Sequence, residues 1–334
     1  MISVIMTVYN ESIYLFKEAC YSVMDQTFDD LEFIIVNDGS TNIYISPFLS
    51  SFETEWKEKR SYNDILIIEQ SNTGHSEAMN VGMSYAKGEY FFFIDSDDLI
   101  TNDCLSILYQ NLIKTGSDIS IGACMRSVTS DSLFEMQKSQ TNVTLHTLNF
   151  LQSVAHVCKW VNVGYQYFPG QMDFIATWNK IFKREVFMNP KNPVRFPTGH
   201  MRDDNFTAHR LFYNAKKVVK TNKITYLYRK GGRMAGNNLY KNTDLILAHE
   251  DRLKFLKDIR NEFNEKEQII LDTIYANEHA WYLYTLVKTQ NHLNSEEIDE
   301  KIRKAQKEEV QILNDLQETY NKNGLLDSEE MRIL

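Results

Sequence analysis

The sequence predicts an α/β protein, a mostly parallel sheet with helices on both faces, followed by a helical module. Strand-like apolar runs alternate with helix-period segments through the first hundred residues, the pattern of βαβ units. Tyr90 to Ile94 is a short, continuous, aromatic and β-branched run, as expected of a fully buried strand. From about Asp244 onward the pattern is helical only.

The elements follow in order. Ile2 to Thr7 is the first strand. A helix over Ile13 to Met24 places Leu15, Ala19 and Val23 on one face, with Ser12 as its cap. Leu31 to Val36 is the second strand and Ile65 to Glu69 the third. A helix over Glu77 to Ala86 leads through Gly88 to the fourth strand, Tyr90 to Ile94. After about residue 115 the alternation weakens. Ser117 to Met125 suits another strand, Trp178 to Phe187 a strand or turn entering a helix, and Asp204 to Tyr213 a helix. Asp203 and Asp204 favour the N-terminus of that last helix. The C-terminal helices break near Asn291 to Asn294, and Ser295 with the acidic residues after it starts a new one. The expected division is a domain over 1–235, with 1–115 and 116–235 as its halves, and a helical module over 236–334.

Composition narrows the function. The 334 residues are 43% hydrophobic and 24% charged, which describes a folded globular chain. A net charge of −9 argues against nucleic acid as a general partner. Ile2 to Val8 has no basic region before it, so it does not read as a signal peptide, and no apolar run is long enough to cross a bilayer. Cys20, Cys104, Cys124 and Cys158 lie far apart with no CxxC pair, as expected of buried thiols in a reducing compartment, here the cytoplasm.

In parallel sheets, ligands bind outside the carboxyl ends of the strands. Those ends carry Thr7-Val8-Tyr9-Asn10-Glu11, Asn37-Asp38-Gly39-Ser40, Gln70-Ser71-Asn72 and Asp95-Ser96-Asp97. Each alone reads as an Asx-type turn; four on one edge mark a site. Asp95, Asp97 and Asp98 repel one another, and burying them unpaired is costly. A hard divalent ion, Mg2+ or Mn2+, shared with substrate phosphates fits such oxygen ligands; a solvated turn capping the next helix is the bland alternative.

Taken in order, Ser3 to Glu11, Val36-Asn37-Asp38-Gly39-Ser40-Thr41, Gln70-Ser71-Asn72-Thr73-Gly74, Ala86-Lys87-Gly88-Glu89-Tyr90 and Asp95-Ser96-Asp97-Asp98 resemble the family-2 glycosyltransferases of GT-A fold. These are inverting enzymes that use nucleotide-sugar donors. The resemblance is close over residues 1–115. It continues more thinly through Asn179-Lys180-Ile181-Phe182, Arg202-Asp203-Asp204-Asn205-Phe206 and Tyr226-Leu227-Tyr228-Arg229, and fades beyond about 240.

The resemblance implies roles. Thr7, Tyr9, Asn10, Glu11 and Asp38 would line the nucleoside pocket, with Asn72 beside them and Asp38 accepting the imide N–H of uracil. Asp95 and Ser96 would lie near the ribose, and Asp97 with Asp95 would ligate Mn2+ or Mg2+ on the donor diphosphate. Asp204, with Asp203 as neighbour, would be the base that takes the acceptor proton; simple helix capping is the competing explanation.

Lys216, Lys217, Lys220, Lys223, Arg229, Lys230 and Arg233 form a run without acidic residues. Its default meaning is a solvated face, but Gly231-Gly232 beside Arg229 and Arg233 also suits a mobile loop closing on phosphates. Met79 stands in Ala78-Met79-Asn80 where the family often has Arg, which leaves the donor nucleotide open. The chain also lacks the Gln-x-x-Arg-Trp motif and membrane spans of processive synthases.

Other classes fit less well. A nicotinamide oxidoreductase needs G-x-G-x-x-G after the first strand, where Tyr9-Asn10-Glu11-Ser12-Ile13 stands. A haloacid-dehalogenase-like phosphatase carries its Asp-x-Asp on the first strand, with Thr or Val where Leu99 is found. A non-catalytic carbohydrate-binding or scaffold protein would not need Asp38, Asp97 and Asp204 together. The expectation is transfer of a single sugar, most readily from a UDP-sugar, to a glycan or glycolipid acceptor of a bacterial-type surface glycan. Trp281, Tyr282, Leu283, Tyr284 and Leu286 are expected to pack within the helical module or against a second copy. Contact with the inner face of a membrane is the lesser alternative, because acidic residues are frequent from Glu296 onward.

Overall fold

The computed structural model describes residues 1–60, 64–127, 142–158, 172–229 and 243–323. Four strands frame the site: β1 (Ile2–Val8), β2 (Leu31–Asp38), β3 (Ile65–Gln70) and β4 (Tyr90–Asp95). They are parallel and lie in the order β3-β2-β1-β4, with Thr7 opposite Val36 on one side and Asp95 on the other. Every residue of β1 and β2 is buried, which is why both read as apolar runs. Parallel register brings Val8, Asp38, Gln70 and Asp95 to one edge.

The helices α1 (Ile13–Met24), α2 (Ile45–Lys59), α3 (His75–Tyr85) and α4 (Cys104–Thr115) connect and cover these strands. Side chains of β4 alternate between two cores, as the period of a strand requires. Phe92 and Ile94 join Phe16, Phe33, Phe52 and Trp56 on one face. Phe91 and Phe93 meet Phe182, Phe187 and Phe196 on the other. Ser12 does precede α1, but its side chain makes no capping bond; its N–H instead donates to Glu11 Oε1 at 2.7 Å. α2 is an element beyond those expected from the sequence; it begins after Tyr44 without a side-chain cap, and Ile45, Phe48, Leu49, Phe52 and Trp56 recur at helical spacing on its buried face.

Beyond β4 the sheet becomes mixed. β5 (Leu99–Ile100) precedes α4, and β6 (Ile119–Ser127), β7 (Leu145–Leu148), β8 (Lys180–Lys183) and β9 (Val218–Arg229) follow it. β8 runs antiparallel to β4 and β6, β9 is parallel to β6, and β5 and β7 are antiparallel to β9. β9 corrects the expectation for the basic run. Val218, Val219, Thr221, Thr225, Tyr226 and Leu227 are buried, so the segment is a strand rather than a solvated face or mobile loop up to Arg229. Lys230, Gly231, Gly232 and Arg233 lie outside the described residues. Two short helices, α6 (Met172–Ile175) and α7 (Arg184–Phe187), flank β8, and α8 (Asp203–Asn214) carries the acidic pair in its first turn.

The chain divides into two compact units, Met1–Leu148 with Met172–Gly236, and Asn149–Gln171 with Asn237–Leu334. The second unit thus includes a segment well upstream of residue 236. Its described part is helical: α5 (Phe150–Cys158), α9 (Asp244–Ile259), α10 (Glu265–Leu293) and α11 (Glu296–Asn323). Asn264 and Glu267 form a capping box at the start of α10, and Asn294 ends that helix in the left-handed conformation. Tyr282 and Leu286 pack with Ile246, Leu253, Ile298 and Ala305, while Tyr284 is exposed. Among the described residues no helix is long and apolar enough to cross a membrane. All four cysteines are free thiols.

Candidate active site

The loop after β2 is held by two residues from neighbouring strands. Asn10, in the left-handed conformation, accepts from Thr41 N (2.6 Å), Thr41 Oγ1 (3.1 Å) and Asn42 N (2.8 Å). Gly39 also has positive φ, and a Cβ there would stand 2.6 Å from Asn72 N, so only glycine allows the loops after β2 and β3 to touch. Asn72 Nδ2 donates to the Asp38 carbonyl at 3.1 Å.

Asp38 is buried, and its carboxylate ties down the segment after β3. Oδ1 accepts from Gln70 Nε2 (2.8 Å), Thr73 N (2.8 Å) and Thr73 Oγ1 (3.3 Å), and Oδ2 accepts from Gly74 N (2.9 Å). Three of these bonds fall on Oδ1 and one on Oδ2, so the carboxylate anchors the Gln70–Gly74 loop while Oδ2 keeps a second acceptor site.

At the end of β4, Asp95, Asp97 and Asp98 bring one carboxylate oxygen each within 4.8 Å of the others. Each oxygen of Asp98 has a protein donor: Oδ2 accepts from the Tyr226 hydroxyl (2.8 Å) and Oδ1 from Arg229 N (2.8 Å). Burial pushes its pKa well up, and Asp95 and Asp97 add to the shift. Trp178 stacks on Tyr226 with ring centres 4.5 Å apart, so the residue gripping Asp98 is itself fixed. Asp95 is pushed up to about 7 by burial, with His75 opposing and Asp97, Asp204 and Asp203 reinforcing the shift. Burial and Glu11 likewise raise Asp97.

Arg229 does not reach out toward a ligand. It is buried, donates to the Asp97 carbonyl at 3.1 Å and pairs with Glu18 of α1. It clamps the acidic turn by its backbone.

Asp203 and Asp204, although adjacent, are in different states. Asp203 is buried; Oδ1 accepts its neighbour's N–H (3.0 Å) and Oδ2 accepts from Ser76 Oγ (3.1 Å). Asp204 Oδ1 accepts both the N–H of Thr177 (3.0 Å) and its hydroxyl, which leaves Oδ2 without a bond among the described residues. Burial and then Asp203 push Asp204 up to about 6, against the Thr177 bond, Lys180 and His75.

Between the two acidic groups stands His75, the first residue of α3, which sequence reasoning missed. Its ring is half-exposed; Nδ1 is 2.9 Å from Thr7 Oγ1 and Nε2 is 3.8 Å from Asp203. Burial lowers its pKa, but Asp203, Asp95, Asp204 and Asp38 together outweigh that and raise it. Its place directly after the Gln70–Gly74 segment quoted for the family resemblance was the available signal. Thr7, Asp38, Asp95, Asp97, Asp203 and Asp204 thus converge around one side chain or one turn. Tyr9 is exposed beside them, Ser96 is half-buried between Asp95 and Asp97, and Glu11 influences Asp97. Asn10 and Asn72 shape the loops.

The model of glycosyl transferase family 2 matches residues 3–202. This chain belongs to that family. The match ends just before the acidic pair, whose place rests on the geometry above. The glycosyltransferase GlyG of Streptococcus pneumoniae is 30% identical over 267 residues, which is 80% of this chain and 79% of that protein. Among solved structures, TarS 1-349 of S. aureus in complex with UDP-GlcNAc aligns with a TM-score of 0.56 at 16% identity, over 96% of this chain and 92% of that one. The mannosyltransferase PcManGT of Pyrobaculum calidifontis, in complex with GDP-Man and Mn2+, aligns with a TM-score of 0.52 at 15% identity, over 98% and 88%. At those identities the two structures establish the fold of this family-2 glycosyltransferase, which is the expected GT-A architecture.

The acidic turn also fits a divalent ion on its own chemistry. Three carboxylates share one space, Asp98 is held by protein donors, and burial raises Asp95 and Asp97 with neighbouring carboxylates adding to it. Hard oxygen ligands in this arrangement suit Mg2+ or Mn2+.

Proposed function

We propose that this family-2 glycosyltransferase moves a single sugar, with inversion, from a UDP-sugar to a hydroxyl of a glycan or glycolipid acceptor. The observation that carries the reading is Asp204, a half-buried carboxylate with one oxygen fixed by Thr177 and the other open among the described residues, on the same edge as the Asp95–Asp97 turn. Its Oδ2 takes the proton of the acceptor hydroxyl as that oxygen bonds to the anomeric carbon. The bond from that carbon to the diphosphate breaks, and its electron pair leaves with the nucleotide. A carboxylate with pKa near 6 is ionised at neutral pH and still basic enough for this transfer.

Asp95 and Asp97 would hold Mn2+ or Mg2+, which when bound offsets charge on the leaving diphosphate. Thr7, Tyr9, Glu11, Asp38, Asn72 and Ser96 frame the nucleoside side, Asp38 and Asn10 by holding loops. The uridine preference rests on the UDP-GlcNAc complex of TarS, against the GDP-mannose complex of PcManGT. Action in the cytoplasm is supported by the four free cysteines.

A panel of UDP- and GDP-sugars, assayed for released nucleotide with Mn2+ and with EDTA, tests the reading. Turnover of a UDP-sugar that stops in EDTA is expected. Turnover of GDP-sugars only, or full activity in EDTA, would overturn the donor or the metal assignment respectively.

A further inference from the structure

The carboxylate of Asp204 does not meet its counter-charge directly. Lys180, on β8, is 1% exposed, and its Nζ donates to the carbonyl of Ala176. The N–H of Thr177, which donates to Asp204 Oδ1 at 3.0 Å, belongs to the same peptide group as that carbonyl. A trans peptide points its C=O and N–H in opposite directions. One amide therefore connects the buried ammonium on one side to the carboxylate on the other. A cation on the carbonyl polarises the amide and strengthens its N–H as a donor.

The turn that makes this geometry is built in. Asn179 sits in the left-handed conformation with φ of 59°, which turns the chain between Thr177 and Lys180. Its Oδ1 accepts from Thr225 Oγ1 at 2.7 Å, and a Cβ at Gly122 would stand 2.7 Å from that same atom. With the turn pinned, Lys180 is directed inward and Thr177 toward α8.

We propose that Lys180 and Thr177 are positioning residues for the base: the Lys180–peptide–Asp204 bridge keeps Asp204 ionised beside Asp203, and Thr177 selects the oxygen left for the acceptor proton. This rests on the reading of Asp204 as the base. The charged groups facing Asp204 are Asp203 on its own helix, His75 from α3, Asp95 from β4 and Lys180 from β8. Asp173 of α6, near Lys180, is neutralised by Lys220 of β9 at 2.7 Å. Lys180 is thus the buried cation that the Ala176–Thr177 peptide links to the carboxylate. Burial lowers Lys180 to about 7, against Asp173 and Asp204, so the ammonium carries its charge through the more acidic range in which the base titrates.

The test is the pH dependence of kcat at saturating donor in Lys180→Met, Thr177→Val and Thr177→Ser, alongside Asp204→Asn. Loss of either support raises the pKa at which the base loses its proton. The acidic limb should move up by about one unit in Lys180→Met and Thr177→Val, so kcat at the foot of the limb falls about tenfold more than on the alkaline plateau. Thr177→Ser keeps the hydroxyl and should restore the wild-type limb. The same series in a His75→Gln background removes that group's own titration. An unmoved limb in both variants, with Asp204→Asn inactive, overturns the bridge and leaves the base reading standing. An active Asp204→Asn overturns the base reading itself. Should Lys180→Met fail to fold, Thr177→Val against Thr177→Ser decides alone.

Discussion

Two clusters of buried charge in this chain have opposite characters. In the helical unit Glu278, fully buried, accepts from His249 Nδ1 (2.6 Å) and Arg252 (2.8 Å). Although burial opposes ionisation, Arg252 and His249 outweigh it and hold Glu278 down to about 2. At the sheet edge, Asp95, Asp97, Asp98 and Asp204 are all raised, because burial is not matched by protein cations. In the first cluster the carboxylate meets its counter-charges within the protein. The second lacks that match, and perturbed groups of that kind collect at functional sites. Counting carboxylates would not separate the two; the direction of their shifts does.

The largest effect that could break this contrast is catalytic. Asp204→Asn keeps shape but removes basicity, so kcat should fall about 10²–10⁴-fold with donor binding nearly intact. If Asp203→Asn is the crippled variant instead, the base is one residue earlier than the bonding pattern implies.

Stability changes should have opposite signs in the two clusters. Glu278→Gln removes the buried negative charge that Arg252 and His249 both meet and should cost about 3–5 kcal/mol, read by denaturant unfolding. Asp95→Asn removes a carboxylate the fold holds unfavourably and should raise the melting temperature while abolishing transfer. A gain from Glu278→Gln, or a loss from Asp95→Asn, contradicts the contrast.

The pH dependence follows with the sign worked out. Glu278 titrates lower folded than the roughly 4.3 expected unfolded, so its stabilisation is present above that value and lost as pH falls toward 2. Asp95 titrates at about 7 folded, against roughly 3.9 unfolded, so the folded state binds the proton more tightly. Its ionisation costs stability increasingly as pH rises from about 4 to 7. The gain from Asp95→Asn should therefore be large at pH 8 and absent near pH 4, measured by melting at both.

The first half of the fold was legible because buried parallel strands leave a clear record: β1, β2 and β4 are largely apolar runs ending in polar residues, with only Ser3 and Glu32, bonded to each other, interrupting β1 and β2. β9 was not, because Lys217, Lys220 and Lys223 masked its buried positions. Two of those cations have partners distant in sequence, the carbonyl of Thr115 and the carboxylate of Asp173. The acidic site residues were legible by type and place, but their bonding was not. That Asp38 is an anchor, that Arg229 clamps the acidic turn through Asp97, and that Asp203 is occupied while Asp204 is open all depend on partners from other segments. His75 and Thr177 lie outside the quoted motifs, and Lys180 lies in one without a role assigned to it; what distinguishes all three is the company the fold gives them.

The central claim, that the sheet-edge carboxylates form a metal-dependent donor site, is tested most directly by thermal unfolding at pH 7.5 with UDP, with Mn2+, and with both. Ligands that bind only the folded state raise the melting temperature by mass action. The pair together should raise it by more than the sum of either alone in the wild type, and that excess should vanish in Asp97→Ala while the UDP-only shift persists. The same excess in Asp97→Ala, or none in the wild type, would contradict the account.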